Sequence, residues 1–92
     1  MIRGFKDQHT ERLYNGGAVA RFAAIGTVVH RKFDMLNVAI RLDDLRSPPG
    51  NRLEALKGDR KGQHSIRIND QWRFCFVWTA EGPTDVEIVD YH

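Results

Sequence analysis

Thiol chemistry is almost absent from this 92-residue chain, whose one cysteine is Cys75. A single thiol forms no internal disulfide and builds no zinc site on a Cys cluster, so packing alone must hold the fold. No apolar run is long enough to span a bilayer, and the first twenty residues carry Arg3, Lys6, Asp7, Glu11 and Arg12 in place of a secretory h-region. The expectation is a cytoplasmic protein. Repeats and low-complexity segments are missing too. So is any cluster of carboxylates and histidines at metal-ligand spacing, and neither a metal nor another cofactor is expected.

What is present is ordinary for a soluble globular protein: 41% hydrophobic and 28% charged residues. The length suits one hydrophobic core and no separate regulatory module, which predicts a single domain over residues 1–92. The formal charge is only +2, but it is unevenly spread. Residues 46 to 74 hold seven Lys or Arg against three acids, whereas residues 80 to 92 hold four acids and no Lys or Arg. The first stretch fits a phosphate-binding surface as well as a solvated face of mixed charge.

Ile2 to Phe5 reads as a short opening strand, and Asp7 to Asn15, closed by Gly16 and Gly17, as a short helix capped by Asp7. Phe22, Ile25, Val29, Phe33, Leu36 and Ile40 fall within roughly 80° of arc on a helical wheel, which predicts one long amphipathic helix from about Val19 to Ile40. Arg21, His30, Arg31, Lys32 and Arg41 lie off that stripe, as charges on any surface helix do. Pro48 and Pro49 end the helical half.

Arg52 to Leu56 reads as a short strand and Lys57 to Gly62 as a basic, glycine-bracketed loop. Gln63 to Asn69 and Gln71 to Thr79 alternate as a hairpin whose tight turn, at Asn69 and Asp70, suits positive φ angles. In its second strand Trp72, Phe74, Phe76 and Trp78 share one face and Arg73, Cys75 and Val77 the other. The aromatic face fits core packing better than a base-stacking platform. A last strand, Thr84 to Tyr91, completes the order β-α-α-β-β-β-β: an α+β domain with two helices on one face of a small, mainly antiparallel sheet.

Arg73, in mid-strand, needs a partner, either a neighbouring acid or a phosphate held by the guanidinium fork. With Lys57 at a strand end and Asp90, Tyr91 and His92 at the chain end, it makes a set able to cleave a phosphodiester without a metal. Such cleavage of RNA removes a proton from a 2′-hydroxyl, protonates the departing 5′ oxygen and neutralises charge on the phosphoryl oxygens. An imidazole and a carboxylate supply the first two functions and cations the third.

These residues also carry a family resemblance. Leu53 to Gly62 (LEALKGDRKG), Gln63 to Ile68 (QHSIRI), Asn69 to Phe76 (NDQWRFCF) and Val86 to His92 (VEIVDYH) resemble the HigB toxins of bacterial type II toxin–antitoxin pairs, within the RelE/ParE superfamily. The resemblance spans almost the whole chain and implies a RelE-like fold. It also implies an endoribonuclease, or mRNA interferase, that cuts messenger RNA in the ribosomal A site. The implied partners are the ribosome with its message and a HigA-like helix-turn-helix antitoxin, with operator DNA met only through the antitoxin complex. The implied catalytic residues are Lys57, Arg73, Asp90, Tyr91 and His92, and the basic residues Arg46, Arg52, Arg60, Lys61 and Arg67 would grip ribosomal RNA. Glu54 stands where some relatives have a histidine, three residues before the lysine. Two other readings stay open: a ParE-like toxin that inhibits a protein such as gyrase, and a non-catalytic RNA- or antitoxin-binding domain.

Overall fold

The computed structural model describes residues 1–90. Tyr91 and His92, both expected in the site, lie outside the described residues. Two helices, α1 (Gln8–Tyr14) and α2 (Gly26–Val38), precede four strands, β1 (Glu54–Ala55), β2 (His64–Arg67), β3 (Trp72–Thr79) and β4 (Gly82–Asp90). The strands form one antiparallel sheet in sequential order, as successive hairpins require.

The expected opening strand is reduced to a single parallel bridge, Phe5 to Val86, because Asp7 turns the chain into α1 almost at once. Asp7 Oδ2 accepts the Thr10 N–H at 3.2 Å, the cap expected from sequence. The Thr10 hydroxyl, fully buried, then accepts the Ile88 N–H of β4 at 3.1 Å, so α1 satisfies a donor on the sheet edge.

The long helix expected from Val19 to Ile40 is in fact two pieces. Ala20–Ile25 is a 3-10 helix, and the α-helix begins only at Gly26. Phe22 and Ile25 are three residues apart, a spacing that points both inward whether the turn holds three residues or 3.6, so the apolar stripe cannot tell the two apart. The stripe is buried as far as Leu36 and then fails. Ala39 is extended (φ −64°, ψ 128°), and Ile40 leaves the core with 85% of its surface exposed.

Trp72, Phe74 and Phe76 are buried on the helix side of the sheet, with Trp78 partly buried at its margin. Phe33 meets Phe74 at 4.8 Å between ring centroids, and Phe22 meets Trp72 edge-on at 5.3 Å. These contacts make the aromatic face core rather than a stacking surface.

Lys32, read from sequence as a solvent-facing charge, is buried at the edge of the stripe and donates to Asn51 Oδ1. Burial, with repulsion from Arg31 and Arg67, lowers its pKa. Asn51 itself is fully buried in the Pro49–Asn51 turn and donates through Nδ2 to the Leu45 carbonyl at 3.1 Å and the Ser47 carbonyl at 3.3 Å. One amide thus ties α2 to the segment that leads into the sheet.

Gly26 has helical angles (φ −51°, ψ −48°), and a Cβ built there meets nothing within 4 Å. Gly26→Ala should therefore raise stability by about 0.4–1 kcal/mol through the unfolded chain's lost freedom, read as a higher midpoint in urea at unchanged slope.

Candidate anion site on the sheet face

Which side chains meet on the outer face depends on the register of the β2–β3 hairpin. Ile68 and Asn69 N–H groups both donate to the Trp72 carbonyl, at 2.9 and 3.2 Å, which leaves Asn69, Asp70 and Gln71 as the loop. The tight turn expected from sequence needed positive φ at Asn69 and Asp70, and neither has it. Asn69 acts instead through its side chain, whose Oδ1 accepts from the Gln71 and Trp72 N–H groups at 2.8 Å each. The longer loop decides the face. Arg67 pairs with Arg73, whereas a two-residue turn would have shifted pairing by one and sent the two guanidinium groups to opposite sides.

Two arginines directly opposite each other repel and cost the sheet stability unless something offsets them. Arg73 is 8% exposed. Its Nε donates to Ser65 Oγ at 2.9 Å, its Nη2 donates to the Arg52 carbonyl at 2.7 Å, and the Glu54 carboxylate stands 3.8 Å from Nη2. The Arg52 carbonyl is presented by a left-handed residue (φ 47°, ψ 54°) just after the Asn51 turn. Arg67 instead pairs with Asp70, whose side chain is fully exposed.

Arg52, Arg67 and Arg73, with Asn69 and Asp70, line an open polar cavity of about 220 Å³. Three arginines line it against one carboxylate, Asp70, with Glu54 beside Arg73, and the surplus of positive charge suits an anion with several acceptor oxygens. This site holds Arg73 with Arg52 and Arg67, two arginines that sequence had assigned to a broader ribosome-facing surface.

The other expected site residues lie elsewhere. Lys57 is exposed at the start of the basic loop, next to Leu56, whose N–H donates to the Gln63 carbonyl. Gln63 is four residues before Arg67, roughly 13 Å along β2 at the usual rise. Arg60 folds back over the outer face, donating to Gln63 Oε1 at 3.0 Å and Glu87 Oε1 at 3.1 Å. Arg46 is in an exposed pair with Asp43, and Lys61 is exposed. Val89 pairs with Arg73, so Asp90 pairs with Trp72 and belongs to the helix side, where it accepts from Gln71 Nε2 at 3.2 Å.

Ser65, Asn69 and Asp70 were not singled out from sequence as site residues. The signal for them was the hairpin register, which follows once the loop is counted as three residues.

A four-stranded antiparallel sheet with helices packed on one face is an α+β arrangement of the RelE-like class. The solved YoeB-YefM complex from Staphylococcus aureus contains a chain of the same fold, with a TM-score of 0.63 at 20% identity over 100% of this chain and 95% of that one. Residues 3–92 match the family described as the RelE-like toxin of type II toxin-antitoxin system HigB, and the chain belongs to that family. It is 42% identical over 80 residues to Toxin HigB-1 of Vibrio cholerae serotype O1, covering 85% of this chain and 84% of that protein. An uncharacterized protein of Haemophilus influenzae is 34% identical over 79 residues, covering 84% of this chain and 76% of the other.

Cys75 lies on the outer face but is fully buried, paired with Ser65 on β2 and Glu87 on β4. Burial pushes its thiol pKa up, with Glu87 and Glu54 adding to the rise and Arg60 and Arg73 opposing it. A thiol held protonated and covered reacts slowly. An aromatic disulfide reagent at neutral pH should leave Cys75 unmodified in the folded protein and react within minutes in denaturant; rapid labelling of the native state would contradict the burial of this thiol.

Proposed function

We propose that this HigB-family toxin is a ribosome-dependent endoribonuclease that cuts messenger RNA in the A site, by metal-free acid–base attack of the 2′-hydroxyl. The observation that carries the reading is the cavity of Arg52, Arg67 and Arg73, a preformed cation set open at the sheet face. The charge that develops on phosphoryl oxygens is stabilised best by donors already held in place, and Arg73 is held by Ser65 and the Arg52 carbonyl.

In this reading the RNA backbone runs along β2. Two neighbouring phosphates meet the arginine cavity and the backbone continues toward Lys57. Arg73 leans from β3 toward Ser65 on β2, which sets its guanidinium beside that path. Asp90, Tyr91 and His92 supply proton transfer and substrate placement, as the resemblance implies, while Arg46 and Lys61 add ribosomal RNA contacts at the periphery. A helix-turn-helix antitoxin restrains the toxin in a cytoplasmic pair and brings it to operator DNA.

Mapping 5′ ends of messages after expression tests the reading. Wild type should produce cuts within codons on translating ribosomes, and His92→Gln should abolish them with the fold intact. Lys57→Ala should lower the rate by roughly ten- to a thousandfold. Arg73→Ala should do the same and also cost about 1–3 kcal/mol of stability, because Ser65 Oγ and the Arg52 carbonyl lose their donor. Cleavage unchanged in the His92 variant would remove the imidazole from the mechanism, and equal cutting of naked RNA would remove the ribosome.

A further inference from the structure

The two arginines that face each other across β2 and β3 are held in different ways. Arg73 is buried and fixed by Ser65 and the backbone of Arg52, whereas Arg67 is a third exposed and ends in an ion pair with Asp70. Asp70 lines the same cavity, and its side chain is fully exposed, so the pair breaks with little structural consequence. Its backbone is steadied by the Asn69 side chain, which bonds the two residues that follow it. The carboxylate can therefore turn away without moving the loop.

We propose that Asp70 is a built-in competitor for the phosphate that Arg67 would bind, and that it sets the cavity to prefer a ligand with two neighbouring phosphates over one with a single phosphate. The proposal rests on the nucleic-acid reading of the cavity. A lone phosphate on Arg73 meets the Asp70 carboxylate while that group remains on Arg67, and like charges in one cavity repel. A polynucleotide brings a second phosphate that takes Arg67 from Asp70, so the carboxylate leaves to solvent and the repulsion ends. Asp70 is thus a specificity-determining residue rather than a group that touches the reacting atoms.

Calorimetric titration of the full chain tests this with two probes: inorganic phosphate, and a short single-stranded RNA with every 2′-hydroxyl methylated so that it cannot be cut. Asp70→Asn should tighten inorganic phosphate by about three- to tenfold and the oligonucleotide by less, narrowing the ratio between them. Asp70→Glu, which keeps the charge, should track wild type. In an Arg67→Gln background the gain from Asp70→Asn should shrink to less than half. Phosphate affinity unchanged or weakened in Asp70→Asn, an equal gain in both backgrounds, or no phosphate binding by any variant would each overturn the proposal. Message cleavage by the same proteins is scored separately, so a toxin that shows the Asp70 effect yet cuts no message would refute the nuclease reading alone.

Discussion

A guanidinium nine-tenths buried in the middle of a strand must be hydrogen-bonded, and the outer half of this structure is arranged around Arg73 for that reason. Two of its hydrogen-bond partners come from different directions. Ser65 is supplied by the neighbouring strand, and the Arg52 carbonyl by the turn that enters the sheet. That carbonyl is aimed correctly only because Arg52 accepts a left-handed conformation, and the residue before it, Asn51, is anchored by three polar groups, one of them Lys32 on α2. A line of hydrogen bonds thus runs from the buried face of a helix to a cation on the opposite side of the sheet. The helix layer and Arg73 are linked through the adjacent residues Asn51 and Arg52.

The same arrangement explains why the sheet tolerates Arg67 and Arg73 as a direct cross-strand pair. The repulsion is shared out: Glu54 stands near one guanidinium and Asp70 bonds the other. Both carboxylates are half or more exposed, so neither is bound to the sheet by burial. A protein that needed only stability would use a neutral pair at this position. Retaining two cations, each partly neutralised by a carboxylate free to leave, is a design suited to receiving an anion from outside.

Much of this was legible in the residues. The Asp7 cap, the aromatic alternation of β3 and the strand order needed only local rules, because each depends on spacing within a few residues. The long helix did not come out intact, since three-residue spacing between Phe22 and Ile25 serves two kinds of helix equally well. Lys32 was hidden for a different reason. A lysine at the border of an apolar stripe has a long enough stem to reach either way, and only the buried Asn51 amide, a loop residue distant in sequence, decides that it turns inward. For the site, sequence pointed to Arg73 and Lys57, yet the cavity partners Arg67 and Asp70 depended on one residue of loop length.

That dependence follows from the topology. Because β3 runs antiparallel to both neighbours, its first residues lie beside the end of β2 on one side and the end of β4 on the other. The 69–71 loop, Arg67, Arg73, Val89 and Asp90 are therefore gathered at one end of the sheet, whatever the details of packing elsewhere. The strand period then sorts them by face: Val89 stays with Arg73, while Asp90 goes with Trp72 toward the helices. For Asp90 to act on a phosphate held at Arg73, β4 must twist or release at its final pair, exchanging the Gln71 contact for one across the sheet edge. The final pair of an edge strand is where such a release costs least.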